Sequence, residues 1–378
     1  RAVGPLLLVL LSHGTGLADY SAWTDSVRVY LNTTPIGAGV TGDVYDFPVV
    51  VRLNSSNFDF AEANADGGDI RMAKPGGTVP MPLQIEQWEQ ANERAVIWVK
   101  VDTVYGYNND QYFMMYWGNA SASDTSDGPA VFDPANAFGA VWHLNETNFN
   151  HIDATGHGVN LNYTGFDGTT NSTRDTVGVL GGANLFDLDA MLTGGDRSPY
   201  IEPPNDMSLS FWCYLPDFIT STETGGTPSW VVGDRTSSSL TSWGSYRIEF
   251  GTVSHQPIFY WKDDFLDEFF ARGPSRIDTC TWAHVVGVRD GEHLRVFVNG
   301  TDRTGYAQTP APTANMFRGG EWGMRIGGES GGTRPYKGFL DEIRIGTVAR
   351  SADWIKLCYM NQQLDDSLLP GSQIVVLL

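Results

Sequence analysis

The feature that most constrains this chain is a side-chain alternation of period two, broken every few residues by turn formers. Val27, Val29 and Leu31 alternate with Ser26, Arg28 and Tyr30; Phe47, Val49, Val51 and Leu53 form a second set, and Ala95, Ile97, Val99 and Val101 a third. Successive side chains of a strand point to opposite faces, so each set predicts a half-buried strand. Tyr112 to Trp117 is apolar at both parities, which predicts a central strand covered on both faces before Gly118-Asn119 ends it. With 43 Gly and 19 Pro in 378 residues, turns are frequent and strands short. Val285 to Arg289, Asp290-Gly291, Glu292 to Val298 and Asn299-Gly300 read as a hairpin followed by another turn, because type I′ turns need residues that accept positive φ. One helix is predicted, capped by Ser351, with Asp353 in its first turn and its end near Asn361. The whole reads as all-β, two antiparallel β-sandwich domains with a short C-terminal helix. The stretch Ala120 to Ala137, of linker composition, holds the boundary.

Charge narrows the partners. With 24 Lys and Arg against 44 Asp and Glu the formal balance is -20, whereas surfaces that track phosphates need clustered cations. Nucleic acid is excluded as a partner. Pro5 to Leu11 is an apolar run too short to span a bilayer, and Gly16 and Ala18 carry the small side chains a signal peptidase selects. Cleavage is expected between Ala18 and Asp19, which makes the protein extracytoplasmic: secreted, at the cell surface or periplasmic. Pro370-Gly371 turns the chain into the apolar run Ile374 to Leu378, and the start of a truncated further region is expected over residues 364–378. Cys213, Cys280 and Cys358 lack metal-ligand spacing. Cys213 shares strand parity with Leu209 and Phe211 and reads as a small buried hydrophobe, while any disulfide pairing among the three stays open.

Ordered motifs carry a family resemblance. Val141-Trp142-His143-Leu144, Asp153-Ala154-Thr155-Gly156, Gly181-Gly182-Ala183-Asn184-Leu185-Phe186, Ser208-Leu209-Ser210-Phe211-Trp212, Trp282-Ala283-His284-Val285-Val286, Val296-Phe297-Val298-Asn299-Gly300 and Leu340-Asp341-Glu342-Ile343-Arg344-Ile345 succeed one another before Ala349-Arg350-Ser351. In that order they resemble the laminin-G-like, concanavalin-A-like jelly rolls of bacterial surface proteins, over residues 138–363. Residues 19–135 resemble the domain of unknown function 2341 that often precedes such a jelly roll, through Asp46-Phe47-Pro48-Val49, Asp66-Gly67-Gly68-Asp69-Ile70, Ile97-Trp98-Val99-Lys100 and Met115-Tyr116-Trp117-Gly118-Asn119. The resemblance implies a non-catalytic, exported binding or adhesion protein whose partner is a polysaccharide or glycoprotein. Some relatives join the same two domains to a MotA/TolQ/ExbB-type proton channel, so the alternatives are the extracytoplasmic region of such a membrane complex, attached through a segment beyond residue 378, or a structural spacer.

Two binding chemistries have candidate residues. On the strand from Met207 to Leu215, Met207, Leu209, Phe211 and Cys213 form an apolar side; Ser208, Ser210, Trp212 and Tyr214 form a polar, aromatic side suited to a wet sheet face and to sugar rings. Trp230, Trp243, Tyr246, Tyr260 and Trp261 extend that expected ligand surface. Asp341 shares parity with Phe339, Ile343 and Ile345, which places a carboxylate in core-facing register. A buried charge needs compensation. The resemblance implies a structural Ca2+ held by Asp341 with Glu146 and Asp153. The start of an EF-hand-like loop at Glu62, Asn64, Asp66 and Gly67 lacks its bidentate Glu, Ala73 standing there. His143, His151 and His157 match neither a helical pair nor a zinc finger and read as strand and loop residues. Gly328-Glu329-Ser330-Gly331-Gly332 mimics a nucleophile elbow, but no histidine follows His293. The closely spaced carboxylate strand of glucanase relatives is absent.

Overall fold

The computed structural model describes residues 18–146, 150–165, 174–188, 190–194, 198–202, 205–218, 220, 223, 227–234, 244–252, 254–310, 314–317, 323–328, 334–364 and 374–375. Residues 1–17 of the expected signal peptide, Trp243 and most of the Gly-rich Ser330 segment lie outside them. Every strand pairing among the described residues is antiparallel, and the strands form four sheets.

In the first domain, a five-stranded sheet (Ile374–Val375, Asp25–Tyr30, Tyr112–Trp117, Arg71–Ala73, Pro80–Met81) faces a three-stranded one (Val44–Asn54, Arg94–Val104, Leu83–Glu89). Alternation builds the core between them: Val27, Val29, Phe47, Val49, Val51, Ile97, Val99, Phe113, Met115 and Trp117 are all buried. Two expectations need correction. Tyr112–Trp117 is central, but only Phe113, Met115 and Trp117 are fully buried; Tyr112 and Tyr116 keep a half-exposed face, where Tyr116 stacks on Tyr20 at 4.5 Å and Arg28 covers Tyr112. Conversely, Ala95 through Val99 is buried on both faces, because the second domain covers the side that holds Val96 and Trp98. The motif around Asp69 has a plain cause. The buried Asp69 carboxylate accepts the backbone N–H groups of Asn64 (2.8 Å), Gly118 (2.8 Å) and Asn119 (3.1 Å) and so ties two loops together.

The second domain packs a nine-stranded sheet on an eight-stranded one. The nine run Tyr306–Ala307, Glu268–Arg272, Pro257–Lys262, Tyr246–Phe250, Ser229–Asp234, Met324–Ile326, Ala190–Gly194, Leu161–Gly165, Asn150–His151. The eight are centred on Lys337–Gly346, flanked on one side by Met207–Tyr214 and on the other by Gly182–Asp187 along its first half and Phe138–Trp142 along its second. Met207, Leu209, Phe211 and Cys213 face the core as parity predicts, opposite Tyr246, Ile248, Phe259 and Trp261. Asn299 (φ 51°) and Gly300 (φ 71°) form the expected two-residue turn between Val298 and Thr301. In the preceding hairpin the loop is Gly291-Glu292, one residue later than predicted, since Asp290 still pairs with His293 and Asp206 receives the Gly291 N–H. All three cysteines are free.

The helix Ala352–Gln362 joins the domains. The Ser351 hydroxyl accepts the Trp354 N–H at 3.1 Å, the predicted cap. One face lies on the edge strand Val44–Asn54: the Asn361 amide accepts from Val50 N–H (2.8 Å) and donates to Val50 C=O (3.1 Å), so it pairs a strand edge as a neighbouring strand would. Asp353 accepts the Gly42 N–H, and Phe47 meets Trp354 edge-on at 5.0 Å. The 120–137 stretch is no loose linker, since Val131 and Phe132 are buried in the same junction. Asn361→Ala leaves both Val50 groups unpaired, and we expect a loss of about 2–4 kcal/mol in urea unfolding. An unchanged midpoint would show those groups reaching water.

Candidate functional site

The residues expected to bind a ligand fall into three environments. Tyr246 and Trp261 are wholly buried in the core between the sheets, Tyr246 donating its hydroxyl to the Ile201 carbonyl at 2.6 Å. They are removed from the ligand surface because their strand parity turns them inward. Trp212 does face away from the core, as predicted, yet that face is not wet: it is 1% exposed, donates to Gln362 Oε1 at 2.8 Å and stacks on Tyr359 of the junction helix. Tyr214, one step further along, is half-buried between Trp282 and Phe339 at the rim of the same face.

Trp230 lies elsewhere, on the outer face of the nine-stranded sheet, and marks a row that sequence reasoning reached only through Tyr260. Cross-strand register places Arg325, Gly233, Arg247, Tyr260 and Phe270 side by side on five neighbouring strands. A Cβ at Gly233 would stand 2.4 Å from the Arg247 Cβ, so glycine is what lets Arg247 lie across its neighbour. The Arg247 guanidinium sits 3.8 Å above the Tyr260 ring and 5.7 Å from Trp230. It bonds Glu249 at 2.8 Å and takes Glu268 by both oxygens at 2.7 and 3.2 Å. Those carboxylates hold its pKa above the ordinary range despite burial. Beyond Tyr260 the strip opens to solvent: Tyr260 to Phe270 is 5.7 Å, Phe270 to Tyr306 is 5.4 Å, and Arg272 reaches over Tyr306 at 6.0 Å. Three rings at this spacing, with Glu268 and Arg272 beside them, make an aromatic platform with polar groups along it.

The expected calcium ligands do not converge. Asp153 spends both oxygens on its own loop and the strand Phe138–Trp142, accepting Val141, Thr155 and Val159 N–H groups and the Thr155 hydroxyl. Glu146 accepts His151 Nδ1 at 2.8 Å and the Ile152 N–H at 2.7 Å. Nor does Asp341 face the core. The strand pairing slips between Ser210 and Trp212, where Glu342 adopts a left-handed φ of 52°. That bulge reverses parity, so Leu340 and Ile343 both point inward while Asp341 points to the junction, accepting the Leu180 N–H at 3.0 Å.

What does converge there, among the described residues, is Glu86, His143 and Glu342. His143 Nδ1 lies 2.6 Å from Glu342 Oε1 and 3.4 Å from Glu86 Oε2, with both Glu side chains fully buried. Arg344 donates to Glu342 Oε2 at 2.6 Å and stacks on Trp98 at 4.5 Å; Trp98 donates to Glu86 Oε2 at 2.6 Å. Burial pushes Glu86 up to about 7. The Asp341 carboxyl is driven well above its usual range by burial first, then by Glu342. Burial works against a charged His143, but Glu342 and Glu86 raise it to about 9. Reading His143 as an ordinary strand residue missed this cluster, whose members come from three distant segments.

The family comparisons agree with the geometry. Residues 193–356 match the model of the concanavalin A-like lectin/glucanase superfamily, and residues 66–155 match the domain of unknown function 2341. The second domain is a concanavalin A-like jelly roll. No curated protein matches the chain. Among solved structures, domain 4 of an extracellular arabinanase from Geobacillus stearothermophilus, in complex with arabinotriose, is 18% identical at a TM-score of 0.43, over 58% of this chain and 96% of that one. The botulinum neurotoxin serotype G binding domain is 10% identical at 0.46, over 60% of this chain and 51% of its own. The binding domain of Paraclostridial Mosquitocidal Protein 1 is 13% identical at 0.45, over 58% and 52%. The chain thus spans about half the length of those toxin domains. No helix among the described residues is long and apolar enough to cross a membrane.

Proposed function

We propose that this chain is an exported, non-catalytic binding protein whose jelly roll holds a saccharide on the outer face of the nine-stranded sheet. The observation that supports it is the aromatic strip that runs from Tyr260, half-buried beneath Arg247, out to Phe270 and the exposed Tyr306, since flat rings receive the apolar faces of sugars while the exposed Arg272 stands ready for hydroxyls. Binding rather than hydrolysis fits the carboxylates. A glycosidase keeps one acid protonated and one base free, whereas Glu249 and Glu268 are both held by Arg247. A polysaccharide or the glycan of a glycoprotein is the partner class.

A glycan array probed with the purified chain, followed by titration of the best glycan, tests this. Tyr260→Ala should weaken binding about tenfold or more, the equivalent of about 1.4 kcal/mol. No retained glycan, or equal affinity in the variant, would count against the proposal.

A further inference from the structure

We propose that Glu86, His143 and Glu342 form a divalent transition-metal site, zinc in the first instance, that welds the N-terminal domain to the jelly roll. Glu86 comes from the three-stranded sheet of one domain, His143 and Glu342 from two segments of the other, so an ion held by all three is a cross-link between domains. Their ligating atoms all lie within 4.8 Å of one another. Around a tetrahedral ion with bonds near 2.1 Å, ligand atoms stand about 3.4 Å apart. The His143 to Glu86 distance is already 3.4 Å, and the 2.6 Å contact to Glu342 has only to open by several tenths of an ångström.

The surroundings match those of a metal-binding imidazole. Such a ring coordinates through one nitrogen and is oriented by an acceptor at the other. In this cluster Nδ1 faces both carboxylates, and Nε2 faces Gln84 Oε1 at 3.4 Å. Each Glu is steadied in turn, Glu86 by the Trp98 indole and Glu342 by Arg344. Next to Glu342, Asp341 Oδ1 is fully buried with no hydrogen-bond partner, one more polar atom that the junction's own side chains leave unsatisfied. Glu86 and Glu342 face Arg344 as their fixed cation. With His143 neutral and both Glu side chains ionised, one negative charge is left over beside Arg344, and a divalent ion would replace the protons that otherwise balance the cluster. A nitrogen donor beside carboxylates selects a zinc-like ion over Ca2+ or Mg2+, which prefer all-oxygen shells. The site is enclosed, so the ion is structural and exchanges slowly.

The test uses the whole chain, stripped with a chelator, incubated with zinc chloride or calcium chloride, desalted and assayed for bound metal by mass spectrometry, with melting followed in parallel. We expect about one zinc retained per chain, no calcium, and a melting temperature raised by zinc. His143→Ala and Glu342→Gln should each lose the zinc and the shift, while His293→Ala, a change at an exposed histidine, keeps both. Absence of retained zinc in the wild type, or full retention in both cluster variants, overturns the proposal and leaves protons as the balancing charge. Where a cluster variant does not fold, the wild-type melt decides: no upward shift with zinc overturns it.

Discussion

Trp212→Ala should cost about 3–5 kcal/mol of stability in urea unfolding and leave saccharide affinity unchanged. The indole is wholly enclosed by the eight-stranded sheet, His284 and the junction helix, and its N–H is the partner of Gln362 Oε1. Truncation to Ala opens a cavity at the seam between domains and strands that oxygen. Trp212→Phe keeps most of the volume and should cost less than half as much. The same substitution is informative about function: if Trp212 touched a ligand, its loss would weaken binding with little change in stability. That pattern would overturn the placement of the recognition face on the nine-stranded sheet.

Acid should weaken the protein through His284. The side chain is buried beside Trp212 with Nδ1 lacking a hydrogen-bond partner, and burial first, then the charge of Arg344, pushes its pKa down to about 3. A base whose folded pKa lies below its unfolded one is bound by protons more readily in the unfolded chain. Its contribution is therefore intact above the unfolded value of 6.5 and is lost progressively as pH falls toward 3. One pKa unit corresponds to about 1.4 kcal/mol, so the loss should reach about 2 kcal/mol at pH 5 and about 4–5 kcal/mol near pH 3. Comparing wild type with His284→Gln at pH 7 and pH 5 cancels the other titrating groups. The variant should lose about 2 kcal/mol less between those pH values, and parallel pH profiles would show that the ring is protonated in the folded state.

These expectations mark the limit of what alternation reveals. Along Met207–Tyr214 the sequence pattern sorts both faces correctly, four apolar residues inward and Trp212 with Tyr214 outward. What covers the outer face is decided by a helix some 140 residues later and by the other domain, and no local pattern carries that. The helix itself is legible because its cap is local, Ser351 to Trp354. Asp341 is misplaced by parity because the bulge rests on Glu342 in a left-handed conformation, where a glycine would have signalled the irregularity. The aromatic strip is half visible. Tyr260 can be read as a strand aromatic, but its neighbours Phe270 and Tyr306 meet it only through cross-strand register. Likewise the strand that carries Gln84 and Glu86 lies far in sequence from His143 and Glu342; the packing of one domain on the other brings them together.

Amide hydrogen exchange in the presence of a saturating glycan decides where recognition occurs, because it reports which sheet the ligand touches. Slowed exchange should map to residues 257–272 and 306–308, with 207–214 and 282–290 unchanged. Protection centred on 207–214, or spread over neither sheet while the glycan is bound, would contradict a binding face on the nine-stranded sheet.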